Sequence, residues 1–326
     1  MYFNLLNHFI FDVCDTSAIV MCNKASFCFL PDPKRVNKIY QSFSVYNNTR
    51  RLCTYTPVPG AIECLDGIRS FAMMWVIVGH TYVNQVSDLL ANPLDVINWI
   101  MSPEGIWITL GPITVDTFFM LSGLLLVYTT AARLMKNLHM FYLNRLLRMF
   151  PVLAAFVLMQ ASLLNRISDG PNWGVMEAHT HRCRVYWWST LLHVQNWVNP
   201  TEMCLAHSWY LAIDVQLYLI SPVILFWVLG NRKRTAWAAL VSGLTLSLVG
   251  AAVYNFIMEF QAGPVIPSQD LYIIKYYVNT LTRSSPFFVG MIYGYILHLN
   301  RQEKLRLRQV NKYTRNYKRC LRTVQV

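Results

Sequence analysis

The chain has 326 residues, of which 55% are apolar, 14% aromatic and only 13% charged, with a formal net charge of +12. That composition excludes an ordinary soluble domain and points to a polytopic membrane protein. The excess of basic residues is not that of a nucleic-acid binder, because they cluster between apolar segments as they do in the cytosolic loops of membrane proteins. The eight cysteines show neither metal-finger spacing nor a Cys-x-x-Cys, so no metal site is expected.

Taken in order, residues 1–30 are moderately apolar, but Asp12, Asp15 and Lys24 interrupt them and no small-residue cleavage site stands out. Residues 31–59 are polar and basic, with Lys34, Arg35, Lys38, Arg50 and Arg51. Residues 1–60 thus read as a cytosolic lead-in whose first part is unassigned. Six stretches then approach the ~20 residues that cross a ~30 Å apolar core. They fall at about 67–86, 109–130, 146–165, 205–229, 236–257 and 281–299. The expected fold is therefore all-α, a polytopic membrane helix bundle over residues 61–300 followed by a basic tail at 301–326. Arg133, Lys136, Arg145 and Arg148 lie between or at the edges of the second and third spans, and NRKR follows the fourth. The loops at 87–108 and 259–271 contain no Lys or Arg. The positive-inside rule places the three basic loops in the cytosol and runs the first helix from inside to outside, in the plasma membrane or the endoplasmic reticulum.

The 167–204 loop then lies outside. Its Cys183 and Cys204 either form a disulfide, since that compartment is oxidising, or remain two buried thiols. Its aromatic run, VYWWSTLLHVQNW, reads as a helix lying at the membrane interface rather than spanning it.

P-loop, HExxH, GxSxG and dinucleotide motifs are missing, and Gln85 follows His80 after four intervening residues, where a His-x4-Asp acyltransferase motif would need Asp. Any chemistry must be built across helices. In CLDGIRSFAMMWVIVGHTY, Arg69 and His80 are eleven positions apart, hence within ~20° on one helix face and ~16 Å apart along it. Ionisable groups at bilayer depth are costly and usually face the protein interior or a water-filled cavity. The plainer alternative is an interfacial arginine and a helix-end histidine. Counted from the outer ends of their helices, His80 lies ~9 Å deep, Asp116 ~10 Å and Asp214 ~13 Å. A carboxylate beside the imidazole would fix its tautomer and suit it to act as a general base. The competing reading makes both carboxylates structural. Arg145 and Arg148, at i and i+3, share a face near the cytosolic end of the third span, where with Arg69 they could grip phosphates or simply snorkel to lipid headgroups.

These residues also carry a resemblance. The Arg-x10-His of the first helix resembles that of the acyltransferase-3 family of membrane enzymes, and more closely its animal branch named for nose resistance to fluoxetine. Residues 115–123, VDTFFMLSG, resemble that family's V-D-x-F-F-x-L-S-G segment, and Arg145 and Arg148 its Arg-x-x-Arg. Residues 209–218, WYLAIDVQLY, resemble its W-x-L-x-x-E/D-x-Q-x-Y block, and residues 283–290, RSSPFFVG, a further block. The similarity runs from about residue 43 to 300. Family members usually have ten or more spans, and the animal branch adds a cysteine-rich extracellular domain; the sequence here is expected to lack that domain and the last helices.

The resemblance implies an acyl group carried from acyl-coenzyme A to a hydroxyl acceptor, a lipid or a glycan. His80 would serve as base, with Asp116 or Asp214 orienting it. Arg69, Arg145 and Arg148 would hold the donor, and Trp209 and Arg283 are further substrate-binding candidates. The expected partners are acyl-coenzyme A and membrane lipid, with no nucleic acid and no metal. The alternative is a non-enzymatic carrier of lipids or small hydrophobic drugs, or an inactive family member.

Overall fold

The structure, a computed structural model, describes residues 45–54, 61–86, 92–130, 138–167, 170, 173–230, 232–260 and 272–303. The chain divides into two units, Met1–Ile62 and Glu63–Val326. In the first, the described part of the lead-in forms helix α1 (Val45–Cys53). The rest of the lead-in up to residue 60, the tail beyond 303, and Arg133 and Lys136 lie outside the described residues.

In the second unit every regular element among the described residues is helical: α2 (Cys64–Val86), α3 (Pro93–Met101), α4 (Ile106–Thr109), α5 (Gly111–Thr130), α6 (Leu138–Ser162), α7 (Leu164–Ile167), α8 (Trp173–Leu191), α9 (Gln195–Val198), α10 (Trp209–Val228), α11 (Lys233–Ile257) and α12 (Ser285–Glu303). A single 3-10 turn, Ala206–Ser208, leads into α10. Helices therefore occupy all six expected spans. Among the described residues, four stretches are long and apolar enough to cross a membrane: Ile106–Thr129, Leu138–Ser162, Ala206–Val228 and Lys233–Ile257. Helices α2 and α12, 23 and 19 residues long, are more polar. The chain is a multi-pass all-α membrane bundle, and side chains such as Phe226, Leu248 and Phe256 are left on its outside, where lipid can cover them.

The core is built by α5, α10, α11 and α12. Phe119 and Val127, Ile213 and Leu225, Leu240, and Phe287 and Met291 pack together with almost no exposure. Helices α5 and α12 touch backbone to backbone. A methyl added at Gly290 would strike the Met120 carbonyl, one at Gly294 the Leu124 carbonyl, and one at Gly123 the Phe287 carbonyl. Contacts advance together along both chains, so the two helices run parallel, as their shared even position among the spans requires. Gly290-Met-Ile-Tyr-Gly294 is the small-xxx-small spacing that lets membrane helices approach closely.

The third long helix departs from the sequence expectation. It begins at Leu138, not near residue 146, so Arg145 lies about two turns inside it. The charge does not end the helix because a partner on α10 neutralises it, as described below. Helix α8 packs on α6 through Cys183, which is buried with Leu153 and Val157, while Val185, Trp187 and Trp188 face outward. The first part of the aromatic run is thus helical, with a kink at Tyr186.

The glycine contacts make a signed prediction. Gly290→Ala should destabilise the protein by roughly 1–3 kcal/mol, because the backbones must separate. Gly67→Ala, on a helical site with no heavy atom within 4 Å of the added carbon, should be neutral or stabilising by up to ~1 kcal/mol. Thermal unfolding of the two purified variants in detergent measures both; equal shifts would contradict the close approach.

Candidate active site

Two ion pairs dominate the polar interior. Arg145 of α6 donates from Nη2 to Asp214 Oδ2 of α10, and the two side chains are only 16% and 6% exposed. Ser122 of α5 donates to Asp214 Oδ1 at 2.6 Å. The Arg145 guanidinium lies 4.1 Å from the centre of the Tyr218 ring. Tyr218 in turn stacks on Phe141 at 4.2 Å and 8°, and its hydroxyl donates to the Phe141 carbonyl at 3.2 Å. The Tyr142 hydroxyl donates to the Leu219 carbonyl at 3.0 Å. Helices α5, α6 and α10 are thereby tied at one level, with α6 and α10 antiparallel.

The second pair joins Arg283, just before α12, to Asp116 on α5. Nη1 of Arg283 reaches both carboxylate oxygens, at 3.1 and 3.0 Å. Its Nε donates to the Tyr277 carbonyl at 3.1 Å, and its guanidinium sits 4.0 Å from the centre of the Tyr277 ring. Trp209 meets the other side of this arrangement, its ring 4.8 Å from that of Tyr277. Burial raises the Tyr277 phenol to about 12, against the opposing pull of Arg283.

His80 stands apart from both pairs. The expected contact between His80 and a membrane carboxylate is not formed: each carboxylate is taken by an arginine, because an ionised pair compensates desolvation better than a neutral imidazole can. The group on His80 is His207, in the turn before α10, with ring centres 4.4 Å apart and planes at 70°. His80 is exposed on the surface of the bundle. Arg69 is also accessible, 41% exposed, and bonds only loosely to Asp66 at 3.4 Å. Arg148 is exposed and forms no ion pair among the described residues, whereas Arg145 is neutralised and so is not the free phosphate ligand that the spacing suggested.

The loop between α8 and α10 closes over this region. Cys183 and Cys204 are disulfide-bonded, with Cα atoms 4.0 Å apart, and Arg182 pairs with Glu202 at 3.0 Å beside the bridge. Inside the loop, Gln216 of α10 donates to the His193 carbonyl and to Asn196 Oδ1, each at 2.8 Å. Asn196 donates to the Val278 carbonyl at 3.2 Å and to Thr280 at 3.1 Å. Burial lowers the pKa of His193, with Asp214 opposing and Arg145 reinforcing the shift. Among the described residues no group of three or more His, Cys, Asp or Glu side chains could hold a metal ion. Sequence reasoning missed His207, Ser122, Tyr277 and the orienting part of Tyr218. Tyr218 and Ser122 sat inside the quoted blocks, but one-dimensional spacing does not reveal which charge they serve.

A polytopic helix bundle with paired charges inside and an accessible Arg–His stripe is the architecture of a membrane enzyme or carrier. The family model of the acyltransferase domain matches residues 62–310. The chain therefore belongs to the acyltransferase-3 family. It is 27% identical to Nose resistant to fluoxetine protein 6 of Caenorhabditis elegans, over 80% of this chain and 35% of that protein. It is 26% identical to Regulator of hypoxia-inducible factor 1 of the same nematode, over 79% of this chain and 55% of that protein. It is also 26% identical to a provisionally named O-acetyltransferase of Staphylococcus aureus, over 73% of this chain and 35% of that protein. The matched regions thus span between 35% and 55% of these relatives' own lengths. No solved structure matches the chain.

Arg145 and Asp214 should behave as one unit. Arg145→Met or Asp214→Leu alone strands a buried charge and should cost roughly 3–5 kcal/mol, whereas the double variant should recover much of it. A double-mutant cycle on thermal stability in detergent checks this; additive losses would mean that the two residues do not interact.

Proposed function

We propose that this chain carries the acyl-transferring part of a membrane O-acyltransferase, moving an acyl group from acyl-coenzyme A to the hydroxyl of a lipid or glycan. One division of labour supports it. Asp116, Asp214, Arg145 and Arg283 neutralise one another in pairs, while His80 and Arg69, on one face of α2, stay accessible. A helix keeps an accessible imidazole and an accessible cation on one stripe at a cost in apolarity that a purely structural helix need not bear.

In this mechanism a nitrogen of His80 accepts the hydroxyl proton as the acceptor oxygen attacks the thioester carbonyl. The carbon–sulfur bond breaks, and the departing thiolate takes the proton back from His80, leaving an ester and free coenzyme A. The donor approaches from the side of the basic loops, with its phosphates on Arg69 and Arg148. The ~16 Å between Arg69 and His80 is bridged by the extended arm of the donor. Arg145 acts indirectly, by holding Asp214 and the α5–α6–α10 level. Trp209 and Arg283 lie near Asp116 and are assigned to the acceptor side.

Two substitutions test the assignment with acetyl-coenzyme A as probe and purified protein. His80→Gln should lower acyl transfer by ~10²–10⁴-fold, the usual cost of losing a general base, with coenzyme A binding unchanged. Arg148→Gln should weaken coenzyme A binding by ~10-fold or more, since a charge-assisted contact contributes ~1.5–3 kcal/mol. Full transfer activity in His80→Gln would place the base elsewhere. No turnover by the wild type, with lipid or drug uptake intact in cells, would favour a carrier.

A further inference from the structure

Among the described residues no carboxylate orients the base assigned above, and a general base needs its ring held in one direction. Among the described residues, the ring against His80 is that of His207, at 4.4 Å and 70°, an edge-to-face contact of the kind that fixes aromatic orientation. What makes this contact more than two surface rings meeting is the way His207 is held. Its 3-10 turn, Ala206–Ser208, is only three residues long, and both of its flanks are fixed. On one side Cys204 is 2% exposed and bonded to Cys183 of α8. On the other, Ser208 is 8% exposed. Gln195 Nε2 donates to its carbonyl at 2.9 Å and its hydroxyl at 3.1 Å, and the hydroxyl donates to the Leu205 carbonyl at 2.6 Å. On α8, His179 lies close enough to interact with both His207 and Arg182, the latter neutralised by Glu202 at 3.0 Å.

We propose that His207 is the positioning residue for His80: the disulfide-clamped turn before α10 sets an imidazole ring edge-to-face with the base and takes the orienting role that Asp116 and Asp214 do not fill. This rests on His80 being the base. The arrangement couples the loop between α8 and α10 to the chemistry on α2 without any contact between His207 and the reacting atoms.

The test measures thiol release from acetyl-coenzyme A by the purified chain, with variants whose Cys183–Cys204 bond is verified by non-reducing peptide mapping. His207→Ala should lower kcat by ~10–100-fold, less than the loss of a base, with KM for acetyl-coenzyme A unchanged. His207→Phe keeps an aromatic face and should recover most of kcat, whereas His207→Leu, of similar bulk without that face, should not. If the alanine variant fails to form the disulfide, Phe against Leu carries the comparison. Wild-type kcat in His207→Ala or His207→Leu, or equal losses in Phe and Leu, would overturn the proposal. His80→Gln separates the two layers. If it is inactive while His207→Ala is fully active, only the positioning role falls; if His80→Gln is itself fully active, the base assignment falls and this proposal with it. No thiol release by the wild type would remove both.

Discussion

A charge at the middle of an apolar bundle must be paired, and the Arg145–Asp214 bridge is where this chain meets that constraint. Desolvating either ion alone is costly by several kcal/mol, so the partner, its geometry and its remaining hydrogen bonds decide whether the helix can pass through the membrane at all. Asp214 meets the requirement with Arg145 on one oxygen and Ser122 on the other, and Arg145 spreads its remaining charge over the Tyr218 ring. Three helices are thereby fixed in depth and rotation by one interaction, which simple apolar packing cannot do, since lipid and leucine are nearly equivalent neighbours.

The same logic extends outward from that level. Asp116 and Arg283 repeat it between α5 and the segment before α12, and the glycines of α5 and α12 let those two backbones meet where the pair has set their register. The loop between α8 and α10 is sealed by a disulfide and by amides that satisfy one another, Gln216 with Asn196 and Gln195 with Ser208. Each such bond offsets part of the cost of burying the polar groups that this loop carries.

For function, the consequence is a separation between groups used to hold the bundle and groups left to act. The paired arginines and aspartates are the former. Under the proposed function the latter are His80, Arg69 and Arg148, which differ from the paired set in being exposed rather than in being more numerous or more basic.

The sequence by itself determined the class of the protein: long apolar stretches at spanning length, basic loops between them, and five ordered blocks around Arg69, Val115, Arg145, Trp209 and Arg283. Those are properties of local composition and spacing, which survive in one dimension. It also suggested the Cys183–Cys204 pairing through the compartment that its loop charges imply. It could not decide partners. Depth counting put His80, Asp116 and Asp214 at one level, but depth along a helix says nothing of which face meets which neighbour. Only the tertiary structure gave Asp214 to Arg145, Asp116 to Arg283 and His80 to His207. The reason is that helix rotation is set by the mutual neutralisation of charges on different helices, a global condition that no single segment contains.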